Sequence, residues 1–151
     1  MPGYGIAPAG EGTILAWSWA VEHLEASRRY WLATVRTDGR PHVQAVWGLW
    51  AEDSLWFSTG AGSRKARNLR ASPACVVTTE QADEAVVVEG TAEIVDPAGV
   101  VARLGPAYLA KYESPLDPDL GPIFRVQPVV AFGLIEHDDQ FAQTATRWTF
   151  C

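Results

Sequence analysis

The residues best placed to do chemistry lie in one short stretch: Gly60, Ala61, Gly62, Ser63, Arg64, Lys65, Ala66, Arg67 and Asn68. A strand over residues 55–59 runs into two glycines, which let backbone approach a ligand closely. Residues 63–71 then read as a short helix with Ser63 as its N-cap. The first amides of a helix have no carbonyl partner within it, and the helix dipole adds partial positive charge there. Arg64 and Lys65 fall on the first two helical positions, where a cation is disfavoured by roughly 0.3–1 kcal/mol. An anion removes the conflict. A phosphate takes backbone N–H bonds, a bidentate Arg contact and the Lys charge, and Asn68, one turn on, offers an amide donor. Without an anion the same residues make a solvated basic surface helix. The spacing is neither GxxxxGK[ST] nor GxGxxG, so it is not a nucleotide-triphosphate loop or a dinucleotide fingerprint.

The rest of the composition narrows the field. The chain has 151 residues and a formal net charge of −6, yet Arg64, Lys65, Arg67 and Arg70 crowd into one segment. The acidic balance argues against a general nucleic-acid binder. Lysine occurs only at 65 and 111 and asparagine only at 68, so two of these three scarce residues fall in the cationic stretch. Cys75 and Cys151 have no CxxC spacing and no His at ligand spacing, which leaves neither a metal site nor a disulfide framework expected. Cys75, in an apolar run, reads as a small core residue. The apolar run at residues 14–20 is far shorter than the ~20 residues a membrane helix needs. No cationic segment precedes it, so no membrane contact is expected and a cytoplasmic location follows by default. His42 and His137 have the chemistry of a general acid or base, although a lone histidine is more often a satisfied polar group; Tyr108 and Tyr112 read as helix packing.

These residues need a scaffold, and the hydrophobic periods describe one. Residues 1–10, with three glycines and two prolines, read as a mobile tail, and residues 11–151 as a single domain. Ile14, Trp17, Val21 and Leu24 recur at helical spacing behind a Thr13 cap, predicting a helix to about residue 28. Period-two patterns predict strands at 30–36, 42–50, 55–59, 75–79, 85–95 and 129–136, with a short last one at 146–150. Asp38-Gly39 and Glu52-Asp53 are turn signals, and Gly90 inside the fifth strand predicts a bulge. Asp96-Pro97 starts a helix that Gly105-Pro106 should kink or split, and a proline-rich loop spans 114–122. Short strands joined by hairpins predict a mainly β (α+β) protein: a six- to seven-stranded antiparallel barrel with peripheral helices. A parallel βαβ fold would need helices between the first three strands.

Four pieces in order carry a family resemblance. They are Trp31-Leu32-Ala33-Thr34-Val35 with Asp38-Gly39-Arg40-Pro41-His42-Val43; Ser58-Thr59-Gly60 leading into Ser63-Arg64-Lys65 and Leu69; Val87-Val88-Glu89-Gly90-Thr91-Ala92; and Ala145-Thr146-Arg147-Trp148. Together they resemble the pyridoxamine-phosphate-oxidase-like split barrels over residues 13–151. The resemblance implies a Greek-key split barrel and a homodimer with its cofactor site at the subunit interface. It implies that Thr59, Ser63, Arg64, Lys65 and Asn68 hold a cofactor phosphate, and that backbone around Val46 and Trp47 edges the ring system. Arg147 and Trp148 would approach from the second subunit. Plain barrel core remains the alternative for Val46 and Trp47, and core or interface packing for Trp148. The second strand, with Gln44-Ala45-Val46-Trp47-Gly48-Leu49, lacks the Arg and Lys of the vitamin B6 oxidases. The sequence is more similar to the short branch that uses the deazaflavin F420. The implied function is F420- or FMN-dependent oxidoreduction of a small organic substrate, F420 favoured. The alternative is a non-catalytic cofactor- or haem-binding protein.

Overall fold

The computed structural model describes residues 15–136 and 144–150. The predicted tail at residues 1–10, the Thr13 cap and His137 lie outside them. Helix α1 (Trp17–Ala26) precedes the hairpin β1 (Tyr30–Val35) and β2 (Pro41–Val46). The hairpin β3 (Leu49–Ala51) and β4 (Ser54–Ser58) follows, then α2 (Arg64–Ala71). Next come β5 (Ala74–Thr79), β6 (Glu84–Ile94), α3 (Pro97–Tyr112), a 3-10 turn at Pro118–Leu120, β7 (Ile123–Ile135) and β8 (Thr146–Thr149).

The described strands form one antiparallel sheet in the order β2-β1-β5-β6-β7-β4-β3, with β8 added on β7. The order forces closure. β2 and β3 are the two ends of that path, yet only Trp47 and Gly48 separate them in the chain. The sheet must therefore curl until its ends meet, which is a split barrel. The six or seven expected strands become eight because the single strand predicted over 42–50 divides at this corner.

The interior is apolar. Tyr30, Leu32, Leu55, Phe57, Val77, Val88, Phe124 and Val126 are buried in one cluster with Ala20 and Leu24 of α1. Trp17 closes its end with edge-to-face contacts to Trp50, Trp148 and Phe150. A second cluster lies beneath α3, where Val100, Leu104, Tyr108 and Tyr112 meet Leu49, Trp56, Leu116 and Ile123. Cys75 is buried and its thiol is pushed up to about 12 by burial, in keeping with a core residue.

Two expectations need adjusting. The bulge occurs at Gly90, but the extra residue is on the other strand: Glu89 faces Val130 and Gly90 faces Pro128, leaving Val129 unpaired. Pro128 has no N–H to give the ladder, which suits a bulge. The helix α3 is not split at Gly105-Pro106; it runs unbroken across Pro106. A proline there removes one internal hydrogen bond. Four buried side chains on the same face, two on each side of Pro106, hold the helix together across the gap.

Candidate functional site

Strand β4 ends at Ser58, and the chain turns through Thr59–Gly62 into α2. Ser63 caps the helix: its Oγ accepts from Ala66 N–H at 3.1 Å and lies 3.0 Å from the Thr59 hydroxyl. Arg70 reaches back and donates to the Ala61 carbonyl at 2.7 Å, so this cation pins the turn. A Cβ added at Gly60 or Gly62 would meet nothing within 4 Å. Neither glycine is demanded by the protein's own packing, and the backbone there is open to an approaching group.

Helix α2 rests on the inner face of β1. Strand register puts Thr34 opposite His42 and Leu32 opposite Gln44. The period of two then places Thr34, Arg36, His42 and Gln44 on the side where α2 lies. Asn68 is fully buried and donates its amide to Thr34 Oγ1 at 3.0 Å. Lys65 is buried too; its Nζ donates to Gln44 Oε1 at 2.8 Å, and burial lowers its pKa. Arg64 is exposed, with no hydrogen-bond or ion-pair partner among the described residues.

This corner gathers buried side-chain polar atoms without partners. Buried polar atoms are normally hydrogen-bonded. Among the side chains of the described residues, three buried nitrogen or oxygen atoms are not: Arg36 Nε, His42 Nδ1 and Asn68 Oδ1. All three belong to α2 and the hairpin under it. Residues 30–46 and 60–71 hold six Arg or Lys and one acid, Asp38. Asp38 is ion-paired with Arg40 at 2.8 Å. The pKa of His42 is lowered by desolvation and by the charges of Arg36, Lys65 and Arg64. A phosphate would relieve that repulsion and accept from Arg36 Nε, and from His42 Nδ1 when that nitrogen carries a proton; Asn68 Oδ1 is an acceptor and is not served by an anion.

A cavity of about 280 Å³ adjoins the turn, lined by Trp47, Ser58, Thr59, Gly60, Tyr108 and the 114–120 loop. Trp47, at the barrel corner, stacks flat on Tyr112 at 4.6 Å and 2°. The corner cannot join a ladder, so α3 satisfies it. Gly48 N–H donates to Tyr112 Oη at 2.8 Å, and the Gly48 carbonyl accepts from Lys111 Nζ at 2.8 Å. Lys111 also donates to Tyr30 Oη at 3.0 Å, and its desolvation brings its pKa down to about 8.

The sequence-derived residues thus divide. Thr59, Ser63, Arg64 and Lys65 gather at the turn, and Trp47 shares a cavity with Thr59 and Gly60. Val46 is buried in the barrel core, whereas Trp47 is 43% exposed. Asn68 faces β1. Arg147 and Trp148 lie on β8, which pairs with β7; Trp148 packs on Trp17 of its own chain and against Gly133. Arg36, whose Nε is buried at this corner, and Lys111, which bonds the Gly48 carbonyl, were not among the sequence-derived site residues; Tyr112, read as helix packing, is buried in the α3 cluster and also bonds Gly48. The alternation along β1, carried one residue past Val35, was the available signal for Arg36. For Lys111 it was the rarity of lysine in the chain.

An antiparallel barrel with its sheet split at a two-residue corner, capped by short helices, defines the split-barrel class. The chain belongs to the pyridoxamine 5'-phosphate oxidase family, whose model matches residues 20–131. No curated protein matches its sequence. Among solved structures it is similar to an F420 reductase, with 28% identity, TM-score 0.61, and coverage of 83% of this chain and 98% of that one. It is also similar to a FAD-binding protein from Mesorhizobium loti, at 22% identity and TM-score 0.62, covering 78% and 90%. A haem storage protein from Vibrio cholerae, HutZ, matches at 20% identity and TM-score 0.60, covering 77% and 94%. These last two likenesses concern the fold alone, and a fold does not choose a cofactor.

Proposed function

We propose that the protein is an oxidoreductase that binds a phosphate-bearing flavin or deazaflavin, F420 ahead of FMN, at the turn between β4 and α2. The observation that carries the reading is the cluster of Arg64, Lys65 and Arg36 at the α2 N-terminus and the hairpin under it, with Arg36 Nε buried and unpartnered, in a chain whose net charge is negative. Likeness to an F420 reductase supports the deazaflavin, as does the lack of Arg or Lys at Gln44–Leu49.

In this reading Arg64 and Lys65 hold the phosphate with the hydroxyls of Thr59 and Ser63, and Asn68 holds α2 onto β1 so that these groups stay in place. Trp47, braced by Tyr112, gives a flat wall for the ring system. The bound cofactor supplies hydride transfer to or from a small organic substrate. The chain works as a homodimer, with Arg147 and Trp148 serving the partner's site.

Fluorescence titration with F420 and with FMN tests this. Binding of one of them at micromolar affinity or better is expected. Arg64→Ala with Lys65→Ala should weaken it by several kcal/mol, since a charge-assisted contact contributes about 1.5–3 kcal/mol, while circular dichroism shows the fold intact. Failure of both cofactors to bind overturns the reading. Tight binding with no turnover on quinone, nitro or enone acceptors favours a storage protein instead.

A further inference from the structure

The α2 end offers a phosphate one firm charge, Arg64, and a second, Lys65, already bonded to Gln44. Two more donors face the same corner from the hairpin. Arg36 follows Val35 on β1, and its backbone closes the turn by donating to Arg40 at 2.8 Å and accepting from Gly39 at 2.9 Å. Its side-chain Nε is buried and unpartnered. His42 lies across from Thr34, to which Asn68 of α2 is bonded, and its Nδ1 is likewise buried and unpartnered. A guanidinium N–H and an imidazole nitrogen stripped of water, beside two further cations, are satisfied together by an anion with several acceptor oxygens, the imidazole by carrying a proton on Nδ1.

We propose that Arg36 and His42 are ligands of the same phosphate as Arg64 and Lys65, so that the β1–β2 hairpin supplies the second half of the subsite, and that His42 takes up a proton from solvent as the anion binds. The inference rests on the cofactor reading for the identity of the ligand, but the anion subsite stands or falls separately. The groups facing His42 are Arg36 from the hairpin turn after β1 and Arg64 and Lys65 from α2. The one hairpin acid, Asp38, is paired with Arg40. In the free protein these cations, and above all desolvation, keep His42 neutral. A dianion reverses their sum, so the imidazolium becomes the favoured form and its second N–H becomes a donor.

The test is imidazole NMR of His42 across pH 5.5–8.5, with and without inorganic phosphate, sulfate or FMN. Sulfate stays a dianion throughout this range, so any proton taken up with it goes to the protein. Each anion should raise the His42 midpoint. Calorimetry of FMN binding in buffers of different ionisation enthalpy should show proton uptake in the wild type and none in His42→Gln. Arg36→Gln and His42→Gln should each weaken FMN about tenfold or more with unchanged melting temperature. An unmoved His42 midpoint with all three anions overturns the proposal, as does full affinity in Arg36→Gln. A midpoint raised by phosphate and sulfate, with neither FMN nor F420 bound, upholds the anion site and removes the cofactor assignment.

Discussion

Lys111 shows how a single side chain ties the site to the barrel. Its ammonium group bridges β1, through Tyr30, and the corner, through the Gly48 carbonyl, and it lies 4.8 and 5.2 Å from the ring centres of Tyr30 and Tyr112. Tyr112 completes the bracket by stacking on Trp47. The arrangement has a testable pH signature. Folded Lys111 gives up its proton near pH 8, whereas an unfolded lysine holds it to about pH 10.4. Between those values the unfolded chain binds more protons, so this group's contribution to stability rises with pH; below pH 8 both states are charged and its effect is constant. Urea denaturation at pH 7.5, 8.5 and 9.5 should therefore give a stability difference, wild type minus Lys111→Met, that grows with pH. Above pH 10 the phenols of Tyr30 and Tyr112, whose pKa values burial raises, act in the opposite direction, which fixes the upper limit of the series. A difference that stays flat rules out a desolvated ammonium at this position.

Among the elements, the 113–122 segment has the tightest backbone constraint. Gly121 adopts φ 155°, and a Cβ there would lie 2.0 Å from the Thr59 carbonyl oxygen, a backbone atom that cannot swing aside. Thr59 N–H in turn points at the Pro122 carbonyl at 3.4 Å. The loop is thus clamped to the first residue of the turn between β4 and α2 and forms the outer wall of the cavity. Gly121→Ala should lower stability by at least about 1 kcal/mol, whereas Gly60→Ala, with open space around it, should leave the melting temperature unchanged; differential scanning calorimetry on both separates a clamp from a generic loop. The sequence carried much of this architecture. Period-two runs and the Asp38-Gly39 and Glu52-Asp53 turns gave the hairpins, and the two turn acids take positive φ as such a turn requires. Ser63 as cap was readable from residue type alone. What could not be read was long-range. The corner at Trp47–Gly48 looks like continuous strand until the sheet order is known, and Pro106 looks like a break until the four side chains flanking it have a cluster to enter. Arg36 and His42 look like ordinary hairpin residues until α2 is laid over them.

For the whole molecule the outer face of the hairpin decides the most. Antiparallel sheets exposed on one side usually alternate polar residues outward. Here the outward positions of β1 and β2 are Trp31, Ala33, Val35, Val43 and Ala45, with Trp31, Val35 and Val43 exposed by 49, 40 and 58%. The face continues through Val76 and Thr78 of β5 to Val87 of β6. Apolar faces of this extent commonly mark interaction sites; in the homodimer proposed above, a second copy would cover this one with a self-complementary, two-fold contact. Val43 points away from His42 and Gln44, its neighbours on β2, so it touches no group assigned to the phosphate. Val43→Glu should place a charge in each half of the contact and yield a monomer by sedimentation velocity, with the fold retained. If the cofactor sits where two subunits meet, and Arg147 and Trp148 serve the partner's site, that monomer must also lose affinity for F420 or FMN. Its His42 should still respond to inorganic phosphate, because the four cationic ligands come from one chain. A monomeric Val43→Glu protein that binds cofactor as the wild type does would place the whole site within a single subunit and leave Arg147 and Trp148 as packing residues of the barrel.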